Sequence, residues 1–419
     1  MQPNQQATLQ PPQETHKSQL PIILVLFVVL RLSILLFFTP QGLLNVYTDF
    51  THYFRTAKLS EQGFFPFLNM WYEYPPLSTY LVQLTYSIAG SFFPLGEVNS
   101  PGYHVWARMF GILMLVFDTG VLLLVHEIAR KSWGAEKADW IGWVYALLSV
   151  PLFFSSASHN VIMVFFTLLT IERYLSERYI QSALALGLAI AAKLTPLFLL
   201  APVIRFLWEE RQRAARNILI YTMVVMLTAL VFYLPFIALG GGAWVAASFN
   251  AISKVGSWAT IWAMLDGNWG SGDYGPLANR LDLAQASVFR ANPALIPEMF
   301  KTAGFVILYV WLFVKPLRRL PEMFIWFSAM TCMLFHLWSK GWSPQWATLI
   351  IPFLLLSFPD QRGLNAVLWL TLFTFIEWPI SDALHSRMLY AVAILGRTAL
   401  LGLAAFWAAR NLRDNVSGG

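Results

Sequence analysis

Residues 20–39 read LPIILVLFVVLRLSILLFFT, an unbroken apolar run carrying a single charge, Arg31. At about 1.5 Å per residue, a helix of roughly 20 residues crosses the hydrocarbon core of a bilayer. The rest of the chain repeats this pattern. Apolar runs bounded by charges recur at 105–128, 139–157, 160–175, 181–192, 194–208, 217–239, 300–316, 321–338, 345–358, 364–380 and 388–409. The composition agrees: 57% of the 419 residues are hydrophobic and 12% charged, where soluble chains carry about 25% charged residues. Mean hydropathy is +0.57. The sequence therefore specifies an all-α polytopic membrane protein, a bundle of about twelve transmembrane helices with no large soluble domain. Residues 1–19, rich in Gln and Pro, read as a disordered cytoplasmic tail. Residues 20–410 read as a single transmembrane domain and 411–419 as a second cytoplasmic tail.

Basic residues orient the bundle, because they gather on the cytoplasmic side. With Lys17 inside, the clusters Arg130/Lys131/Lys137, Arg173/Arg178, Arg205–Arg216, Lys315/Arg318/Arg319, Arg362 and Arg410/Arg413 fall inside as well. This holds only if 181–208 is two short helices turning at Lys193–Pro196, and if the apolar stretch 76–95 lies on the surface or re-enters without crossing. Two long outer loops result, about 41–104 and 240–299. The first carries an amphipathic segment near 50–62. The second contains Trp269-Gly270-Ser271-Gly272-Asp273-Tyr274-Gly275. Cys332 stands alone and excludes an internal disulfide. The net charge of +6 reports orientation, not nucleic-acid binding.

The same topology collects polar residues at one face: Asp49, His159 and Asn160, Lys193, the turn Ser339–Gln345, and Glu377, Asp382, His385 and Arg387. Any polytopic protein has polar turns, but Lys193 and Lys340 sit in very short turns between apolar helices, where an idle ammonium is costly. An acid, a base and cations at one membrane face suit chemistry on a lipid-linked anionic substrate. Arg31 and Asp118 lie at similar depth within their helices, and isolated intramembrane charges are rare, so they are expected to pair. Gly-rich phosphate loops, HExxH, CxxC pairs and GxSxG are missing, and no metal-ligand spacing is evident.

Several stretches resemble one family. Tyr47-Thr48-Asp49, Tyr53, Gly63-Phe64-Phe65-Pro66 and Tyr72-Glu73-Tyr74-Pro75-Pro76-Leu77 look like the first outer loop of GT-C glycosyltransferases. The pattern is that of polyprenol-phosphate-mannose-dependent mannosyltransferases, among them the catalytic subunit of GPI mannosyltransferase I and the bacterial DUF2029 and PimE-like enzymes. Phe117-Asp118-Thr119 resembles the acidic spot in that family's second helix, Lys193-Leu194-Thr195-Pro196 its K-x-x-P turn, and Lys340 to Trp346 its K-x-x-S-P-Q-Y segment, with Trp346 for Tyr. No such match covers 240–299 or the last two helices. Two departures stand out. Thr51 replaces the second acid of a D-x-D pattern, which disfavours a divalent metal. Ser158-His159-Asn160-Val161 lacks the acid that relatives carry there.

The resemblance implies inverting transfer of a sugar, most often mannose, from a polyprenyl phosphate to an acceptor hydroxyl at the outer face; the lack of a retention signal and the compact length point to a prokaryotic plasma membrane first and the endoplasmic reticulum second. It implies Asp49 as general base with Glu73 in reserve. Lys193 and Lys340 would hold the leaving phosphate, with His159, Gln345 and Arg387 in support. Tyr53, Glu73 and Tyr74 would contact sugar or acceptor, and the helix at 76–95 would guide the lipid tail. The partners implied are the lipid-linked donor, a lipid or glycan acceptor and membrane lipids, with no cofactor required. The competing reading is a transporter or flippase. A transporter commonly shows repeated halves and midplane sites; here no repeat is visible, and only the split pair at 181–208 favours it.

Overall fold

A computed structural model describes residues 17–37, 48–155, 157–209, 213–270 and 272–417. The expected tail up to residue 16, Tyr47, Arg211, Ser271 and residues 418–419 lie outside the described residues. The protein is an all-α membrane protein with no strand among the described residues; only isolated bridges occur, Pro66 to Met70 and Trp258 to Gly341.

Helices stand at every apolar run read from the sequence, but five are long and apolar enough to cross a membrane: Leu20–Phe37, Pro101–Trp133, Ala214–Val231, Gln361–Ala383 and Arg387–Arg413. The other runs form shorter or interrupted helices, so the described residues do not supply twelve full-length spans. Proline causes much of the interruption. It has no N–H for the carbonyl four residues earlier, and its ring crowds that carbonyl. Helices accordingly end at Leu147, Ala192 and Val231, four residues before Pro151, Pro196 and Pro235.

The split at Pro196 places Lys193 in extended backbone between Tyr179–Ala192 and the turn at Thr195–Leu199 that leads into Leu200–Trp208. The two short helices expected over 181–208 are therefore present. The Ala192 carbonyl that Pro196 cannot satisfy accepts a hydrogen bond from Ser78 Oγ at 2.7 Å. Ser78 belongs to Pro76–Phe92, which packs on Tyr179–Ala192 and on Pro101–Trp133. Tyr80, on the same helix, donates to the Phe232 carbonyl at 3.2 Å, beside the break made by Pro235. In an apolar surrounding every freed backbone group needs a partner, so these breaks dock the first loop onto the bundle.

Arg31 and Asp118 pair as expected, Nε to Oδ2 at 2.6 Å, both almost fully buried. Arg31 also donates to the Ala146 carbonyl at 3.1 Å and lies over the Phe27 ring, and Tyr145 Oη donates to Asp118 Oδ1 at 2.8 Å. The pair ties Leu20–Phe37, Pro101–Trp133 and Ala135–Leu147 together. Ser18 and Gln19 are held, the Gln19 N–H on Asp139 Oδ2 at 2.8 Å. The last helix continues to Ser417, through most of the segment read as a tail.

Removing one member of a buried ion pair strands the other, at a cost of about 3–5 kcal/mol, whereas replacing both with apolar groups is near neutral. Asp118→Leu is therefore expected to lower the melting temperature in nanodiscs sharply, and Arg31→Met with Asp118→Leu to recover most of it. Equal destabilisation by the single and double variants would show that the pair does not carry this load.

Candidate active site

The helix Thr48–Lys58 has two faces. Phe50, Phe54 and Ala57 are buried, the two aromatics against Trp106, Phe110 and Tyr103. Asp49, His52 and Tyr53, at i, i+3 and i+4, share the other face and line a cavity of about 850 Å³. Asp49 Oδ2 accepts from Tyr53 Oη at 3.2 Å and from Gln345 Nε2 at 3.0 Å. Desolvation raises the Asp49 carboxyl above the usual range, although the charges of His52 and Lys193 pull the other way.

Lys193 enters the cavity from the break before Pro196. Its ammonium donates to Asn160 Oδ1 at 2.7 Å and sits 4.5 Å from the centre of the Trp346 ring. Burial pushes it down to about 7, against the pull of Asp49. A carboxylate made more basic and an ammonium made more acidic thus face the same space, an arrangement that favours proton transfer and anion binding near neutral pH.

Glu73 lines the cavity but is fully engaged. Arg280 holds it through both oxygens, Nε to Oε2 at 3.0 Å and Nη2 to Oε1 at 2.7 Å, and His52 Nε2 lies 3.0 Å from Oε1. Burial would raise its pKa, but His52 and Arg280 together hold it well below the usual carboxylate range. A carboxylate so held is a poor base, so the reserve role read for Glu73 gives way to a structural clasp. Arg280 also faces the Trp71 ring at 5.1 Å, and the Trp71 backbone N–H donates to the Arg280 carbonyl at 3.0 Å. The clasp fastens the first long loop to the second.

The remaining expected residues divide. Tyr53, Tyr74, Gln345 and Arg387 line the cavity, with Arg387 exposed at its rim. Gln345 steadies Asp49 directly. His159 is buried behind the wall, between the rings of Tyr53 at 4.8 Å and Tyr74 at 4.5 Å. Its pKa lies well below the usual value, through burial and then the charges of Lys193 and His52. Lys340 does not reach the cavity. Its ammonium donates to the carbonyls of Ser253 at 3.0 Å and Val255 at 2.6 Å, at the C-terminal end of Gly242–Lys254, where a cation meets unpaired carbonyls. Its neighbour Gly341 is required for the same seam: a Cβ there would come within 2.2 Å of the Trp258 ring. No group of three or more metal-ligating side chains occurs among the described residues.

No family model matches the chain, and no curated protein matches it. Solved structures similar to it include those of the Archaeoglobus fulgidus oligosaccharyltransferase. The apo form is 13% identical with a TM-score of 0.43, covering 93% of this chain and 56% of that one. The archaeal AglB complex with an inhibitory peptide and a dolichol-phosphate is 14% identical with a TM-score of 0.43, covering 95% and 55%. The chain thus spans about half the length of those structures. At that identity and superposition the likeness decides neither activity nor substrate.

Three features of the site escaped the sequence. His52 was visible in principle, being three residues from Asp49 on an amphipathic helix. Arg280 had no local sign, since its partner lies 207 positions away. Glu377 was read only as a turn residue, yet it is buried and paired with Arg397 of the last helix, and Arg397 also donates to the Ala259 carbonyl.

The clasp makes a prediction for the second long loop. Because the folded pKa of Glu73 is depressed, its contribution is complete above the ordinary carboxylate value of about 4.3 and is lost as pH falls below it. Limited proteolysis is expected to leave 255–297 intact at pH 7 in the wild type and to cut it in Arg280→Met. Equal resistance of the two proteins would remove the clasp from this role.

Proposed function

We propose that this protein is a GT-C-type membrane glycosyltransferase that moves a sugar, mannose foremost, from a polyprenyl phosphate to an acceptor hydroxyl at the non-cytoplasmic face, with inversion. The observation that carries the reading is the approach of Asp49 and Lys193 to one cavity, each with its proton affinity moved toward neutrality. The sequence resemblance at Asp49, Lys193–Pro196 and Lys340–Trp346 supports it.

In the proposed reaction Asp49 takes the proton of the acceptor hydroxyl as its oxygen attacks the anomeric carbon. The bond from that carbon to the phosphate oxygen breaks, and its electron pair leaves with the polyprenyl phosphate. Phosphate is a good leaving group without protonation, so one carboxylate suffices, in contrast to the carboxyl pair of a glycosidase. Lys193 and, at the rim, Arg387 neutralise the departing charge. Tyr53 and Gln345 hold Asp49 in place, and Tyr74 walls the sugar. The helix Pro76–Phe92 leads the lipid tail in. This chemistry needs no metal.

The test is transfer in nanodiscs from radiolabelled polyprenyl-phosphate-mannose to a membrane lipid extract, with and without EDTA. Product is expected in both conditions, and Asp49→Asn is expected to lose about 10²–10⁴-fold in rate. A folded Asp49→Asn protein with near-normal rate removes the general base. Failure with mannose and with a panel of other polyprenyl-phosphate sugars moves the assignment to a transporter.

The protonation states give a second test. Asp49 acts deprotonated, so kcat/KM falls as pH drops through its raised pKa. Lys193 acts protonated, so kcat/KM falls again as pH rises through about 7. Lys193→Arg keeps its charge at all accessible pH and is expected to remove the alkaline limb. Persistence of that limb in the variant would exclude Lys193 as its source.

A further inference from the structure

The second long loop, unmatched by any family pattern, builds a chamber of its own. It forms an open recess of about 480 Å³, a volume within the range of roughly 300–1,000 Å³ typical of ligand pockets. Its wall includes Ser257, Asn268, Trp269, Asp273, Arg290 and Asn292. Trp269, Gly270, Gly272 and Asp273 line this chamber and the catalytic cavity alike. The two spaces therefore stand back to back across one short segment.

The chamber is pre-built. Asn292 N–H donates to Asn268 Oδ1 at 2.9 Å, Asn292 Nδ2 to the Gly267 carbonyl at 3.2 Å, and Asn268 Nδ2 to Ser257 Oγ at 2.9 Å. Ser257 Oγ in turn donates to Asp266 Oδ2 at 2.6 Å, and Asp266 Oδ1 accepts the Leu295 N–H at 2.8 Å. Gly256 approaches Ala291 so closely that a Cβ would come within 2.1 Å of it. Loops held this way keep their shape before a ligand arrives, which lowers the entropy lost on binding.

Its chemistry narrows the ligand. The lining is dominated by amide, hydroxyl and backbone groups, which does not suit a lipid tail. Its cation, Arg290, is turned onto the Gln285 side chain and carbonyl and the Val288 carbonyl, and Asp273 adds a negative charge, so an anion is not favoured. Trp269 keeps 37% of its surface exposed and packs at an angle toward Tyr390. A broad aromatic face beside short planar polar groups fits a flat, neutral, hydroxyl-rich ring.

We infer that this chamber binds a neutral saccharide, the part of the acceptor glycan that extends past Trp269 when the accepting hydroxyl lies at Asp49. The inference rests on the proposed transfer reaction for its place in catalysis, and it specifies the acceptor as a glycan and not a peptide or simple lipid.

Binding is read with the Asp49→Asn protein in nanodiscs, so that turnover plays no part. Saturation-transfer NMR is recorded with neutral trisaccharides of mannose, glucose and galactose, and with an uncharged linear peptide. At least one trisaccharide is expected to bind and the peptide not. Adding Trp269→Ala is expected to weaken that binding at least tenfold, Trp269→Phe to restore most of it, and the melting temperature to verify folding. Binding of none of the trisaccharides, preferential binding of the peptide, or equal trisaccharide affinity in the folded Trp269→Ala protein would each overturn the chamber. Transfer by the wild type is measured separately: its absence overturns the enzyme reading alone, while intact transfer without saccharide binding overturns the chamber alone.

Discussion

A helix that cannot continue past Ala192 is the constraint from which the site follows. Pro196 withholds the N–H that the Ala192 carbonyl needs, and in apolar surroundings that carbonyl must find another donor. Ser78 supplies it. The break turns the chain at Lys193, and the repair brings the helix Pro76–Phe92 against the bundle. The loop that precedes this helix carries Asp49 and Glu73, so one missing backbone hydrogen bond helps bring acid and cation to the same cavity.

Around that junction, charge is handled in three ways. Arg31 with Asp118, and Glu377 with Arg397, are buried pairs that join helices. Glu73 with Arg280 is a clasp between loops. Asp49 is different: it receives hydrogen bonds from Tyr53 and Gln345, but its neighbouring charges do not form a closed ion pair with it, so desolvation prevails and its proton affinity rises. The contrast between Glu73 and Asp49 separates a carboxylate that holds structure from one fitted to exchange a proton.

The pairing of Arg31 with Asp118 was legible because depth in a helix follows from residue count. The break at Lys193 was legible because the distribution of basic residues demanded it and proline supplied the means. Lys340 shows the limit of the same reasoning. A desolvated ammonium in a tight turn does need a partner, but backbone carbonyls of another loop satisfy it as well as a phosphate would. His159 likewise lies near the site, yet behind the aromatic wall.

The sequence by itself determined the membrane class, the positions of the helices, the proline break at Lys193–Pro196 and the approach of Asp49 to Lys193. These depend on local quantities: hydropathy, periodicity, and the hydrogen-bonding capacity of each residue. Only the tertiary structure decided which polar groups meet: Glu73 with Arg280, Gln345 with Asp49, Glu377 with Arg397, and the second loop folded back on itself beside the cavity. Such contacts join residues far apart in the chain and follow no period, so their partners are set by the packing of the whole bundle.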